Sequence, residues 1–167
     1  VFVNTYTADS VTTETIMGTK TLFGRDMVAN EFAFHFYKTD ETFAIPNGVA
    51  PVYSTYNDAR ANGITDDLSF VALPFDRVGK YYYTIVEDQT PIAGVTLDTS
   101  KFNITIEVVD DTNGKLVVKE LLVNGSANNE IAFVNTYTID PTPFEFGGYK
   151  TLTGRDLAAD EFTFNLY

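Results

Sequence analysis

The sequence predicts an all-β protein: an antiparallel Greek-key β-sandwich that forms one unit of a tandem repeat. Three observations carry this. Apolar residues alternate with polar ones in several short runs, the period of a half-buried strand. The alternating residues are aromatic or β-branched, with 14 Phe and 10 Tyr against 2 Met and no Trp, a composition suited to pleated surfaces. Two separate sequence blocks recur at almost one spacing.

The strands follow in order. Phe32, Phe34 and Phe36 share one face, with Glu31, Ala33, His35 and Tyr37 on the other. Leu68 to Leu73 and the run Tyr81-Tyr82-Tyr83-Thr84-Ile85-Val86 come next. Phe102, Ile104, Ile106 and Val108 alternate in their turn, and Lys115 to Val123 and Ile131 to Thr138 complete about seven strands. Pro46-Asn47-Gly48, Asn62-Gly63 and Asn124-Gly125 punctuate them, and Asn113-Gly114 predicts a tight hairpin. Tyr56 to Ala61 carries the one mild helical signal, too weak to set an element.

The repeat sets the frame. Phe2-Val3-Asn4-Thr5-Tyr6-Thr7 returns as Phe133-Val134-Asn135-Thr136-Tyr137-Thr138. Lys20-Thr21-Leu22-Phe23-Gly24-Arg25-Asp26 returns as Lys150-Thr151-Leu152-Thr153-Gly154-Arg155-Asp156. The offsets are 131 (135 − 4) and 130 (150 − 20), so the period is domain-sized. A complete unit then occupies residues 8–139. Residues 1–7 read as the last strand of the preceding repeat, and residues 140–167 as a linker, Asp140-Pro141-Thr142-Pro143, and the first strands of the following repeat. The chain opens inside a strand-like segment without a signal peptide, as a piece of something longer does.

Composition excludes several functions. Asp and Glu number 23 against 11 Lys and Arg, a net charge of −12, which argues against nucleic acid as a partner. No apolar run is long enough to span a bilayer. With no Cys there are no disulfides, thiolate metal sites or thiol nucleophiles. The single His35 has no partner for a metal pair and sits opposite the Phe face, a surface or interface position. Asp66-Asp67 and Asp110-Asp111 lie near turns and match no calcium-loop spacing. No metal or cofactor is expected.

One constellation remains. Lys20 heads Lys-Thr-Leu-Phe-Gly-Arg on the first strand, Glu87 closes Tyr-Tyr-Tyr-Thr-Ile-Val-Glu on a central strand, and Asn135 stands in Phe-Val-Asn-Thr-Tyr on the last. By residue type alone these read more readily as a surface lysine, an exposed strand-end charge and a ladder-edge amide. Taken together and in order, they make the complete unit resemble the pilin isopeptide-linkage domains of Gram-positive bacteria, a family that includes streptococcal major pilins. The segment Gly94-Val95-Thr96-Leu97-Asp98 also looks like part of that family's pattern. The resemblance implies an Ig-like sandwich in which Lys20 supplies an amine, Asn135 an amide and Glu87 the catalytic carboxyl of a spontaneous intramolecular cross-link. It implies that Arg25 is structural and pairs with a carboxylate. Asn4 and Lys150 are then the unpaired equivalents from the neighbouring repeats.

The chemistry needs burial. Desolvation favours a neutral, nucleophilic Lys20 and a neutral Glu87 acid, and that acid is expected to hydrogen-bond to the Asn135 carbonyl and polarise it. The reaction occurs once within one chain, so the protein is not an enzyme in the turnover sense. Two functions follow from the resemblance. One is a shaft or stalk module of an extracellular fibre anchored at the Gram-positive cell surface, whose partners are neighbouring repeats. The other is an adhesin domain that binds a host surface ligand through the long segment 38–67.

Overall fold

The aromatic and β-branched runs pair into strands because each can bury alternate side chains while its backbone groups find partners in a ladder. The structure, a computed structural model, describes residues 2–165. In chain order the strands are β1 (Val11–Thr12), β2 (Met17–Phe23), β3 (Ala33–Thr39), β4 (Tyr53–Tyr56), β5 (Asp66–Ser69), β6 (Pro74–Phe75), β7 (Gly79–Glu87), β8 (Val95–Thr96), β9 (Lys101–Asp110), β10 (Leu116–Val123) and β11 (Ala132–Tyr137). No helix occurs among the described residues, Tyr56 to Ala61 included.

An antiparallel sheet runs β10-β9-β7-β3-β4, and a second runs β5-β2-β11-β8. A small β1-β6 pair lies apart from both. Phe34 and Phe36 from β3, Ile85 from β7, and Ile104 and Ile106 from β9 meet Leu22 and Phe133 of the second sheet in one core, each 0–1 % exposed. The faces expected for the Phe and Ile runs are therefore the buried ones. Phe133 anchors the contact, with its ring centroid 5.0 Å from Phe34 and 4.9 Å from Phe102.

Three details differ from the sequence reading. First, the sandwich is not wholly antiparallel, because β2 and β11 are parallel neighbours, with Lys20 opposite Phe133 and Leu22 opposite Asn135. Alternation defines a strand's faces but carries no direction. Second, segment 38–67 is not one long loop. It contains β4, which pairs with β3, and its Phe43 carbonyl accepts a hydrogen bond from the Thr84 hydroxyl. Third, the Asn113-Gly114 hairpin is wider than a two-residue turn, because Asp110 pairs with Leu116. Asp111 Oδ1 accepts the Asn113 and Lys115 N–H groups, and Asp110 Oδ1 accepts that of Thr112. Asp66 is also engaged, by the Arg60 guanidinium and the Asp58 N–H. Asp66, Asp110 and Asp111 thus have structural partners, and among the described residues no cluster of three metal-ligating side chains occurs.

Residues 2–7 and 140–165 contain no strand (Val1, Leu166 and Tyr167 lie outside the described residues). Among the described residues the strand expectation for these terminal segments thus meets no paired backbone. The physical reason is visible in the complete unit. The counterpart of 2–7 is β11, whose main partner is β2, and the counterpart of 150–156 begins with β2, whose partner is β11. Each terminal segment carries one half of that pair.

Gly24 marks the exit of β2. Its φ is +99°, and a Cβ there would stand 2.0 Å from the Tyr137 carbonyl oxygen at the end of β11. Gly114 has a similar φ of +89° but open space around it. Gly24→Ala is therefore expected to destabilise by about 3 kcal/mol, combining backbone strain with a backbone clash. Gly114→Ala is expected to cost only about 1 kcal/mol. Urea midpoints of the two variants check this, and equal losses would show that β11 does not press on Gly24.

Candidate functional site

Lys20 and Asn135 project into the core because each occupies an inward position of its strand, in line with Leu22 and Phe133 respectively. In the parallel register they are diagonal neighbours on one face. Glu87 reaches them from the opposite sheet. It is the last residue of the central strand β7, on the same inward face as Tyr83 and Ile85 and directly across from Phe34. The structure thus brings together all three residues singled out from the sequence, with exposures of 0 % for Lys20, 1 % for Glu87 and 0 % for Asn135.

Their polar atoms form a chain. Lys20 Nζ lies 2.9 Å from Glu87 Oε1 and 3.0 Å from Oε2. Asn135 Nδ2 donates to the same Oε1 at 2.6 Å. Glu87 therefore bridges the amine and the amide nitrogen. The sequence reading placed Glu87 on the amide carbonyl instead. That position is taken, because the Asp98 backbone N–H donates to Asn135 Oδ1 at 2.7 Å. A backbone N–H can only donate, so the amide must turn its oxygen to Asp98 and its NH₂ to Glu87.

The surroundings are apolar. Lys20 Nζ stands 4.6 Å from the centroid of the Phe32 ring and 5.7 Å from that of Phe34. Burial drives the Lys20 pKa down, while the Glu87 charge pulls the other way. Burial likewise drives the Glu87 pKa up against the opposing Lys20 charge. Both shifts favour the same thing, a neutral amine beside a neutral acid.

Asp98 was not singled out as a site residue. It follows the edge strand β8, which pairs with β11 at Thr136 and Tyr137. Its carboxylate accepts the Ser100 N–H at Oδ1 and the Val134 N–H at Oδ2, both at 2.8 Å. The local sequence Asp98-Thr99-Ser100 is an Asx-turn pattern, a signal the sequence offered.

Arg25 forms a clamp beside the site. It makes a bidentate pair with Glu31, and its guanidinium stacks 4.9 Å from the centroid of the Tyr137 ring. The expected carboxylate partner of Arg25 is thus Glu31. His35 is half-buried on the face opposite the Phe side chains, with Nδ1 at 2.9 Å from Ser54 Oγ and Nε2 at 3.4 Å from Asp88. Asn4 and Lys150 are exposed and far from this arrangement in kind: Lys150 Nζ bonds the neighbouring Thr151 carbonyl.

Comparison with known proteins places this geometry in context. No protein of curated function matches the chain significantly. Among solved structures, the major pilin of Streptococcus pyogenes superposes with a TM-score of 0.53 at 22 % identity, covering 75 % of this chain and 50 % of that one. The T-13 major pilin of the same species gives a TM-score of 0.50 at 22 % identity, covering 78 % of this chain and 54 % of that one. The chain therefore spans about half the length of these pilins and shares their fold. The Spy0128-like isopeptide containing domain (FctA) matches residues 16–138, an interval holding β2 through β11 with Lys20, Glu87 and Asn135. The chain belongs to the Spy0128-like isopeptide containing domain family.

Proposed function

We propose that residues 8–139 form a shaft module of a bacterial cell-surface fibre, locked by an autocatalytic isopeptide bond between Lys20 and Asn135. The observation that carries this reading is the buried, hydrogen-bonded row Lys20–Glu87–Asn135 spanning the two sheets. A buried Lys–Glu pair of this kind is a weak stabiliser in its charged form, since desolvation offsets most of the attraction. Its position between a nucleophile and an amide has a chemical use.

Glu87 takes a proton from Lys20 and leaves a neutral amine. The amine nitrogen attacks Asn135 Cγ, forming the new C–N bond and moving the carbonyl π pair onto Oδ1. Glu87 then delivers its proton to Nδ2, which leaves as ammonia as the Cγ–Nδ2 bond breaks. The second amine proton goes to Glu87, which hands it to the departing ammonia, so the products are one secondary amide and one ammonium ion. Burial on neighbouring strands supplies the effective concentration of amine at amide.

Intact mass is the direct test. The folded chain is expected to be lighter than its sequence by one ammonia, and only one, because Asn4 and Lys150 have no facing partners. Glu87→Ala is expected to keep the sandwich and the full sequence mass. A folded wild type of unmodified mass would sink the bond, and a full-yield Lys20–Asn135 branched peptide from Glu87→Ala would remove the acid's role.

The pH dependence follows from the shared proton. The neutral pair and the ion pair hold the same number of protons, so bond formation is expected to be level across neutral pH. In acid the pair gains a second proton, Lys20 becomes an ammonium, and the nucleophile is lost. In strong base the pair loses its proton, Glu87 becomes a carboxylate, and the leaving nitrogen has no acid. The pH series of linking rates in freshly synthesised chain checks this. A rate that climbs steadily through neutrality would mean that Lys20 titrates alone.

Load supports the shaft role. Tension in an array enters before β2 and leaves after β11, and these strands are parallel neighbours. Pulling shears them against each other, and a covalent link between them carries the force past the rest of the domain. Closing a loop on the order of 100 residues also removes about 4–5 kcal/mol of chain entropy from the unfolded state, by analogy with disulfides. In single-molecule pulling the wild-type unit is expected to show no full-length extension, whereas Lys20→Ala extends through its whole length. Equal contour-length gains would take the bond off the load path.

A further inference from the structure

This inference rests on the cross-linking reading above and assigns a residue that the Lys20–Glu87–Asn135 trio leaves out. We infer that Asp98 is a positioning residue for the reaction: its backbone N–H holds the Asn135 carbonyl and receives the charge that forms on it, and its side chain aims that N–H.

The attack of Lys20 Nζ on Cγ moves a pair of electrons onto Asn135 Oδ1, which lies in a side chain with no exposure to solvent. An unassisted oxyanion in such a place is costly. Glu87 does not serve Oδ1, because it engages the nitrogen end of the amide and the amine. The donor on Oδ1 is the Asp98 N–H, at 2.7 Å, a short distance for an N–H···O bond. It is in place before any charge develops, which is what makes such a donor effective. It gives up no proton at any step, and the charge returns from Oδ1 when the Cγ–Nδ2 bond breaks.

The side chain of Asp98 explains how the N–H stays aimed. Strand β8 pairs with β11 at two positions, Thr136 and Tyr137, and Asp98 lies beyond that pairing. From there its carboxylate grips both sides. Oδ1 takes the Ser100 N–H, fixing the turn that Asp98 opens. Oδ2 takes the N–H of Val134, the residue before Asn135. One residue therefore supplies the donor and holds the strand that presents the acceptor. Gln89 braces the arrangement from the acid's side, because its Nε2 donates to the Asp98 carbonyl at 2.8 Å and to the Glu87 carbonyl at 3.1 Å.

The test follows linking in the full chain made by cell-free synthesis, with samples quenched over time and read by intact mass. Three changes at position 98 are compared with wild type: Asp98→Ala, Asp98→Asn, and replacement by the α-hydroxy analogue of aspartate, which turns the peptide N–H into an ester oxygen and keeps the carboxylate. The ester chain is expected to link about 100-fold more slowly, the loss typical of removing one oxyanion donor. It should keep the wild-type pH plateau, since the relay through Glu87 is untouched. Asp98→Ala is expected to slow linking about 10-fold to 100-fold through misplacement, and Asp98→Asn, which keeps one acceptor, should recover part of the rate. Circular dichroism follows folding alongside, and if Asp98→Ala does not fold, the ester chain decides. A wild type that never loses ammonia overturns the cross-linking reading and this inference together. A wild type that links beside an ester chain that links equally fast overturns the role of Asp98 alone.

Discussion

Lys20 and Glu87 are buried side by side in the interior of this sandwich, and each lowers the cost of burying the other. Either charge alone would cost several kcal/mol to desolvate, and removing one partner of such a pair typically costs about 3–5 kcal/mol. The rest of the core is arranged around that constraint. Phe32 and Phe34 wall off the amine, Phe133 closes the gap between the sheets, and Asn135 Nδ2 donates to Glu87 Oε1. An apolar pair of similar volume would stabilise the fold at least as well. The polar row is therefore better explained by chemistry than by stability.

The topology suits the proposed cross-link to a mechanical role. A first and a last strand that were distant, or antiparallel, would leave a link between them off the line of tension or place both chain exits at one end. Here β2 and β11 lie side by side and run the same way, so entry and exit fall at opposite ends of the unit. A chain without Cys has no disulfide with which to close itself, and the proposed amide between side chains would do the same work without depending on the redox state of the surroundings.

The two copies of the Lys-Thr-Leu-x-Gly-Arg block separate local from tertiary effects. Arg25 pairs with Glu31, whose Oε2 accepts the Val28 N–H, and Arg155 pairs with Glu161, whose Oε2 accepts the Ala158 N–H. Lys20 and Lys150 each lie 4.6 Å from the ring of Phe32 or Phe162. The turn therefore forms from nearby residues alone. Yet Lys20 is fully buried and Lys150 exposed, because burial requires β7, β11 and the facing sheet.

That contrast also marks how far the residues could be read in advance. Alternation and composition by themselves determined the all-β class, the inward faces of β3 and β9 and the positions of the turns, though not the width of the Asn113-Gly114 hairpin, because these depend on neighbours a few positions apart. The order of Lys20, Glu87 and Asn135, read through family resemblance, pointed to one site. Three things were decided only by the tertiary structure: the parallel pairing of β2 with β11, the placement of Glu87 on the amide nitrogen, and the contact of the Asp98 N–H with the Asn135 oxygen. Pairing direction depends on the path of the whole chain, and the Asn135 amide is turned by a backbone N–H. Every residue except proline carries that group, so no side-chain pattern announces which one will face a buried oxygen.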